Sequence, residues 1–137
     1  MAKIVGLGGV FFKAGDAEAL RAWYRDVLGL EMHDWGGAIL YNEPAQQTPP
    51  QRTYAVFTVF EDTTTYLRPS ERPFMINFRV DDLDGLLAQI RERGGRVLDR
   101  REEGADGRFG YAVDPEGTLL ELWQPPPPPP ASYLPAM

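Results

Sequence analysis

Val10-Phe11-Phe12-Lys13 and Ile76-Asn77-Phe78-Arg79 lie sixty-six residues apart, and the same spacing pairs the residues that follow each of them. Asp16 meets Asp82, Glu18 meets Asp84, Leu20 meets Leu86, Ala22 meets Ala88, Arg25 meets Arg91, Asp26 meets Glu92 and Gly29 meets Gly95. That many matches in one register indicate a duplicated unit. In the first copy, Asp16 is a helix N-cap residue type. Leu20, Trp23, Tyr24, Val27 and Leu28 then recur at the spacing of an amphipathic helix, which Gly29 ends. In the second copy, Leu83, Leu86, Leu87 and Ile90 repeat the stripe before Gly94-Gly95.

A β-rich stretch precedes each helix, and short strand candidates follow it. In the first copy these are Glu31–Trp35, Ala38–Asn42 and Arg52–Phe60; in the second, Arg96–Arg101, Arg108–Val113 and Thr118–Gln124. Gly36-Gly37 and Asp114-Pro115-Glu116-Gly117 supply turn chemistry between them. Glu43–Gln51 and Asp62–Pro73 read as loops. The expected fold is α+β: two tandem βαβββ modules, residues 1–67 and 68–124, followed by a tail at 125–137. A unit of about 60 residues buries too little surface to stand alone. The two are therefore expected to share one curved mixed sheet, with helices outside and a cleft inside.

Composition narrows the function. The chain has 137 residues, 43% hydrophobic and 25% charged, which suits one soluble domain. It has no cysteine, so disulfides, thiolate metal sites and cysteine nucleophiles are excluded. This suits the cytoplasm, as does an N-terminus without a signal-peptide pattern. No apolar run is long enough to span a membrane. A net charge of −6 disfavours a nucleic-acid partner.

Three segments resemble the vicinal oxygen chelate superfamily, which includes glyoxalase I, bleomycin- and fosfomycin-resistance proteins and extradiol dioxygenases. They are Trp23-Tyr24-Arg25-Asp26-Val27-Leu28-Gly29-Leu30, Asn77-Phe78-Arg79-Val80-Asp81-Asp82-Leu83 and Asp114-Pro115-Glu116-Gly117-Thr118-Leu119-Leu120-Glu121-Leu122-Trp123. The resemblance runs from about Ile4 to Gln124 and specifies a fold rather than a reaction. In metal-dependent members each copy supplies one ligand from its first strand and one from its last. Here the resemblance puts these positions at Gly9 and Met75, and at about Phe57 and Glu121. One oxygen donor among four is too few for a divalent transition metal. The expectation is therefore no metal and no cofactor. The lone histidine, His33, falls on none of these positions.

Strand parity gives the cleft wall. Phe11, Lys13, Phe57, Met75, Asn77, Arg79 and Trp123 are expected there beside Glu121, with Phe109 and Tyr111 near the rim. Glu121 is the candidate catalytic residue, a general base; the plainer alternative is an ion pair with Lys13 or Arg79. Asn77 is a candidate for bonding a ligand carbonyl, and Lys13 and Arg79 for holding an anion.

The preferred reading is a protein that binds a small organic ligand in a metal-free cleft, as bleomycin-resistance-like members allow, and that forms a homodimer. The alternative is a glyoxalase-like lyase or isomerase, or a dioxygenase-like enzyme, that uses Glu121 as base or residual ligand. A third class is an interaction module acting through Pro125–Pro130, six successive prolines that must adopt polyproline II, with Tyr133 and Leu134 beyond. The stretch Gly6-Leu7-Gly8-Gly9 is not a dinucleotide loop, because Phe11 stands where the third glycine belongs.

Overall fold

The computed structural model describes residues 1–41 and 54–127. The chain runs β1 (Ile4–Ala14), α1 (Ala17–Leu28), β2 (Gly37–Tyr41), β3 (Tyr54–Glu61), β4 (Phe74–Val80), α2 (Leu83–Glu92), β5 (Arg96–Gly104), β6 (Gly107–Val113) and β7 (Leu119–Gln124). The seven strands form one sheet, in the order β2-β3-β1-β4-β7-β6-β5. It is mixed, curved and unclosed, as an α+β fold of the expected type requires. The expected strand residues Asn42, Arg52 and Thr53, the loop at Glu43–Gln51 and the tail residues Pro128–Pro130, Tyr133 and Leu134 lie outside the described residues.

The two halves pair their strands alike. The first strand of each half pairs in parallel with the last strand of that half, β1 with β3 and β4 with β7. The two first strands pair antiparallel at the centre, β1 with β4. The helices begin alike. The Asp16 carboxylate accepts from the Ala19 N–H at 3.0 Å, and that of Asp82 from Gly85 at 3.1 Å. Each satisfies a helical N–H that has no partner within its own helix.

The helices pack differently. α2 buries Leu83, Leu86 and Leu87 against Val80, Ala112 and Leu122. α1 buries only Ala17 fully. Its Arg21 reaches the sheet, donating from Nε to the Val59 carbonyl at 3.0 Å. Trp23, Val27 and Leu28, expected on the packed stripe, face outward instead.

One expected strand is absent. Glu31–Trp35 forms no ladder, so among the described residues the first module is β-α-β-β. Gly36, at φ +101°, donates to the His33 carbonyl at 3.0 Å, and His33 donates to Gly37 at 2.8 Å. These bonds close a turn leading into β2, and Glu31-Met32 has no strand beside it.

Candidate functional site

The concave face carries a cavity of about 410 Å³. Its floor follows from sheet register. Alternate residues of a strand share a face, so Leu120 and Leu122 turn toward α2 while Leu119, Glu121 and Trp123 turn to the concave side. Asn77 of β4 and Tyr111 of β6 are the direct cross-strand neighbours of Glu121. The three side chains therefore stand in a row, and each is almost fully buried.

Glu121 has no ion-pair partner among the described residues. Its Oε1 accepts from Asn77 Nδ2 at 2.6 Å, and its Oε2 accepts from the Tyr111 hydroxyl at 2.6 Å and the Tyr66 hydroxyl at 2.5 Å. Three charge-assisted bonds of this kind offset part of the cost of burying a carboxylate without a counter-ion. Burial, followed by the charge of Glu121, pushes both phenols well above the ordinary tyrosine value, so both stay protonated donors. The Arg100 guanidinium lies over their rings, 4.3 Å from that of Tyr66 and 4.1 Å from that of Tyr111, and donates to the Tyr66 carbonyl at 2.9 Å.

The walls are aromatic. Phe109 stacks on Trp123 at 6.0 Å, and Tyr54 leans on Trp123 at 5.4 Å. Trp123 Nε1 donates to the Asp106 carbonyl at 2.7 Å, which fixes the indole to the β5–β6 turn. On the other side Phe11, Phe60 and Tyr66 form a stack. Trp35, Ile39 and Val56 complete the lining with Asp106.

Of the residues expected at the wall, Phe11, Asn77, Phe109, Glu121 and Trp123 line the cavity, and Tyr111 lies in the floor. Four are placed otherwise. Phe57 points to the opposite face, packed on Tyr24 at 4.8 Å and Phe12 at 5.4 Å; its neighbour Val56 takes the cleft position. Met75 has the expected parity, but Leu67, Tyr111 and Leu119 cover it completely. Lys13 lies at the far end of β1 and lines a separate surface hollow with Asp62 and Arg68. Arg79 flanks the wall rather than lining it, its guanidinium 5.4 Å from the Tyr54 ring and 5.2 Å from the Trp123 ring. Neither Lys13 nor Arg79 pairs with Glu121, so the ion-pair alternative is replaced by the hydrogen bonds described above. Tyr66 was not expected, since it comes from the segment joining the halves; its only sequence signal is an aromatic residue in a Thr- and Arg-rich connection.

Of the metal-ligand positions of the resemblance, Glu121 alone carries an oxygen donor. Gly9 has no donor, and a Cβ there would lie 2.3 Å from the Val56 carbonyl oxygen. The neighbouring Gly8 also faces Asn77, whose Oδ1 would be 1.9 Å from an added Cβ. Phe57 is turned away, the Met75 thioether is sealed in the core, and both oxygens of Glu121 are engaged. Among the described residues, no three His, Cys, Asp or Glu side chains group together closely enough to hold an ion.

Residues 9–123 match the family of the glyoxalase-like domain. The chain belongs to that family. No curated protein matches it in sequence. Among solved structures, methylmalonyl-CoA epimerase from Mycobacterium tuberculosis is 23% identical with a TM-score of 0.55, covering 90% of each chain. The Streptomyces coelicolor methylmalonyl-CoA epimerase in complex with 2-nitronate-propionyl-CoA is 21% identical with a TM-score of 0.60, covering 91% of this chain and 100% of that one. A structure described as an NAD-dependent benzaldehyde dehydrogenase from Legionella pneumophila is 13% identical with a TM-score of 0.56, covering 86% and 98%. These likenesses show the fold, and with the family match they agree with the resemblance to the vicinal oxygen chelate superfamily. No helix among the described residues is long and apolar enough to cross a membrane.

Proposed function

We propose that this glyoxalase-like chain binds a small organic molecule in its aromatic cavity without a resident metal ion. The observation that carries this is the condition of Glu121: the one oxygen donor at the family's ligand positions is bonded to Asn77, Tyr66 and Tyr111. The backbone beside Gly9 leaves no room for a second ligand. An aromatic cavity with a few polar groups at its floor is a usual small-ligand site.

A second reading is an isomerase or lyase with Glu121 as base, favoured by Glu121 lining the cavity. It is the weaker one, because a base needs a lone pair directed at substrate, and both oxygens already face protein donors. We also infer a homodimer, supported by exposed Ile4, Val5, Leu7, Trp23, Val27 and Leu28 on the first half. The cysteine-free composition supports a cytoplasmic setting.

Elemental analysis of protein purified without chelator tests the metal-free reading. Well below one equivalent of Ni, Zn, Mn or Fe is expected. About one equivalent, lost in Glu121→Ala, would overturn it.

A further inference from the structure

We infer that the occupant of this cavity is a protonated organic amine on an apolar or aromatic body, held by the negative charge of Glu121 and Asp106, which both line it. This rests on the cavity being the binding site proposed above, and names the class of molecule it takes.

The first observation is a count of protons on the floor. Glu121 Oε2, the Tyr66 hydroxyl and the Tyr111 hydroxyl form a triangle, its edges 2.5, 2.6 and 2.9 Å. With Glu121 as carboxylate, the three oxygens share two protons. Both are directed at Oε2, so the edge between the two phenol oxygens has none. The amide of Asn77 must turn its nitrogen toward Glu121, which leaves its buried Oδ1 without a partner. The floor thus has acceptors to spare and no free donor. The group that completes it must bring N–H or O–H bonds.

The second observation is charge. Among the described residues, Glu121 and Asp106 both line the cavity, and no Lys, Arg or His does. At Tyr54, burial first and then the Asp106 charge raise the phenol, while the Arg79 guanidinium, outside the lining, acts in the opposite direction. An anionic ligand would have to approach a buried carboxylate that has no ion-pair partner among the described residues. A cation supplies the missing charge and the missing donors together.

The third observation is the wall. Phe11, Trp35, Tyr54, Tyr66, Phe109 and Trp123 offer ring faces and edges around one space. Ring faces attract cations within about 6 Å. Arg79 already makes such contacts with Tyr54 and Trp123 from outside the cavity.

Three probes of one shape separate the possibilities: 2-phenylethylamine, 2-phenylethanol and 3-phenylpropanoate, titrated calorimetrically near neutral pH into the full chain. The amine is expected to bind about tenfold tighter than either of the others, or 1.4 kcal/mol. Glu121→Gln should remove about that factor for the amine and leave the alcohol within roughly twofold. Asp106→Asn, an exposed change that leaves folding intact, should weaken the amine roughly threefold. Equal binding of the alcohol, or amine binding indifferent to both substitutions, overturns the inference. Preference for the carboxylate by metal-free protein overturns the amine assignment and leaves the metal-free cleft standing. Binding of none of the three at millimolar concentration overturns the amine assignment too, and metal content then decides the reading beneath it.

Discussion

Glu121→Leu is expected to lower the unfolding free energy by about 3 kcal/mol, and the melting temperature by roughly 10 °C. The residue is 2% exposed, and its side chain is the acceptor for two buried donors, Asn77 and Tyr111, and for the half-buried Tyr66. Leucine fills similar space and removes a buried charge, which offsets part of the loss. The Tyr66 and Tyr111 hydroxyls, 2.9 Å apart, can satisfy one donor between them. The second hydroxyl and Asn77 Nδ2 remain without acceptors, and each buried orphan costs about 1–3 kcal/mol. Urea unfolding followed by circular dichroism measures the change. A loss below about 0.5 kcal/mol would mean that the cluster contributes little to the fold.

Gly9→Ala is expected to cost about 3 kcal/mol or more, whereas Gly8→Ala costs about half as much. The two glycines are adjacent on β1, but they meet different atoms. A Cβ on Gly9 would stand 2.3 Å from the backbone oxygen of Val56, which the parallel β1–β3 pairing holds in place. A Cβ on Gly8 would meet the tip of the Asn77 side chain, which can turn away at the cost of its bond to Glu121, and the Trp123 ring at 3.0 Å. In an Asn77→Ala background, Gly8→Ala should therefore lose the part of its effect that Asn77 causes and keep the part from Trp123, while Gly9→Ala keeps its own in full. The double-mutant cycles, read by the same unfolding experiment, show whether the Asn77 amide fills the space beside Gly8. Full additivity of Gly8→Ala and Asn77→Ala would contradict that account.

The duplication was legible because the features that define each unit are local. Asp16 and Asp82 cap helices at matched positions, and period-two alternation puts Asn77, Glu121 and Trp123 on one face. Where reading failed, the cause was register or distance along the chain. Phe57 and Val56 differ by one step, and one step inverts the face; the offset located that position only to within a residue. Met75 has the right parity, yet Leu67 and Tyr66 from the connection between the halves close over it. No periodicity in Asp62–Pro73 predicts where those two side chains land. Lys13 also has the right parity, but at about 3.3 Å per residue it lies four residues beyond Gly9. Glu31–Trp35 has strand-like composition without a neighbouring strand, and composition alone does not create a partner. The row Asn77–Glu121–Tyr111 needed cross-strand register, which only the assembled sheet supplies.

The metal-free cleft is tested most directly by a crystal structure of the chain soaked with Ni²⁺, Zn²⁺ or Mn²⁺, with anomalous scattering recorded for each ion. The account predicts no anomalous peak within coordination distance of Glu121, and unbroken bonds from Asn77, Tyr66 and Tyr111 to its carboxylate. An ion at that carboxylate held by three or more protein atoms would contradict it.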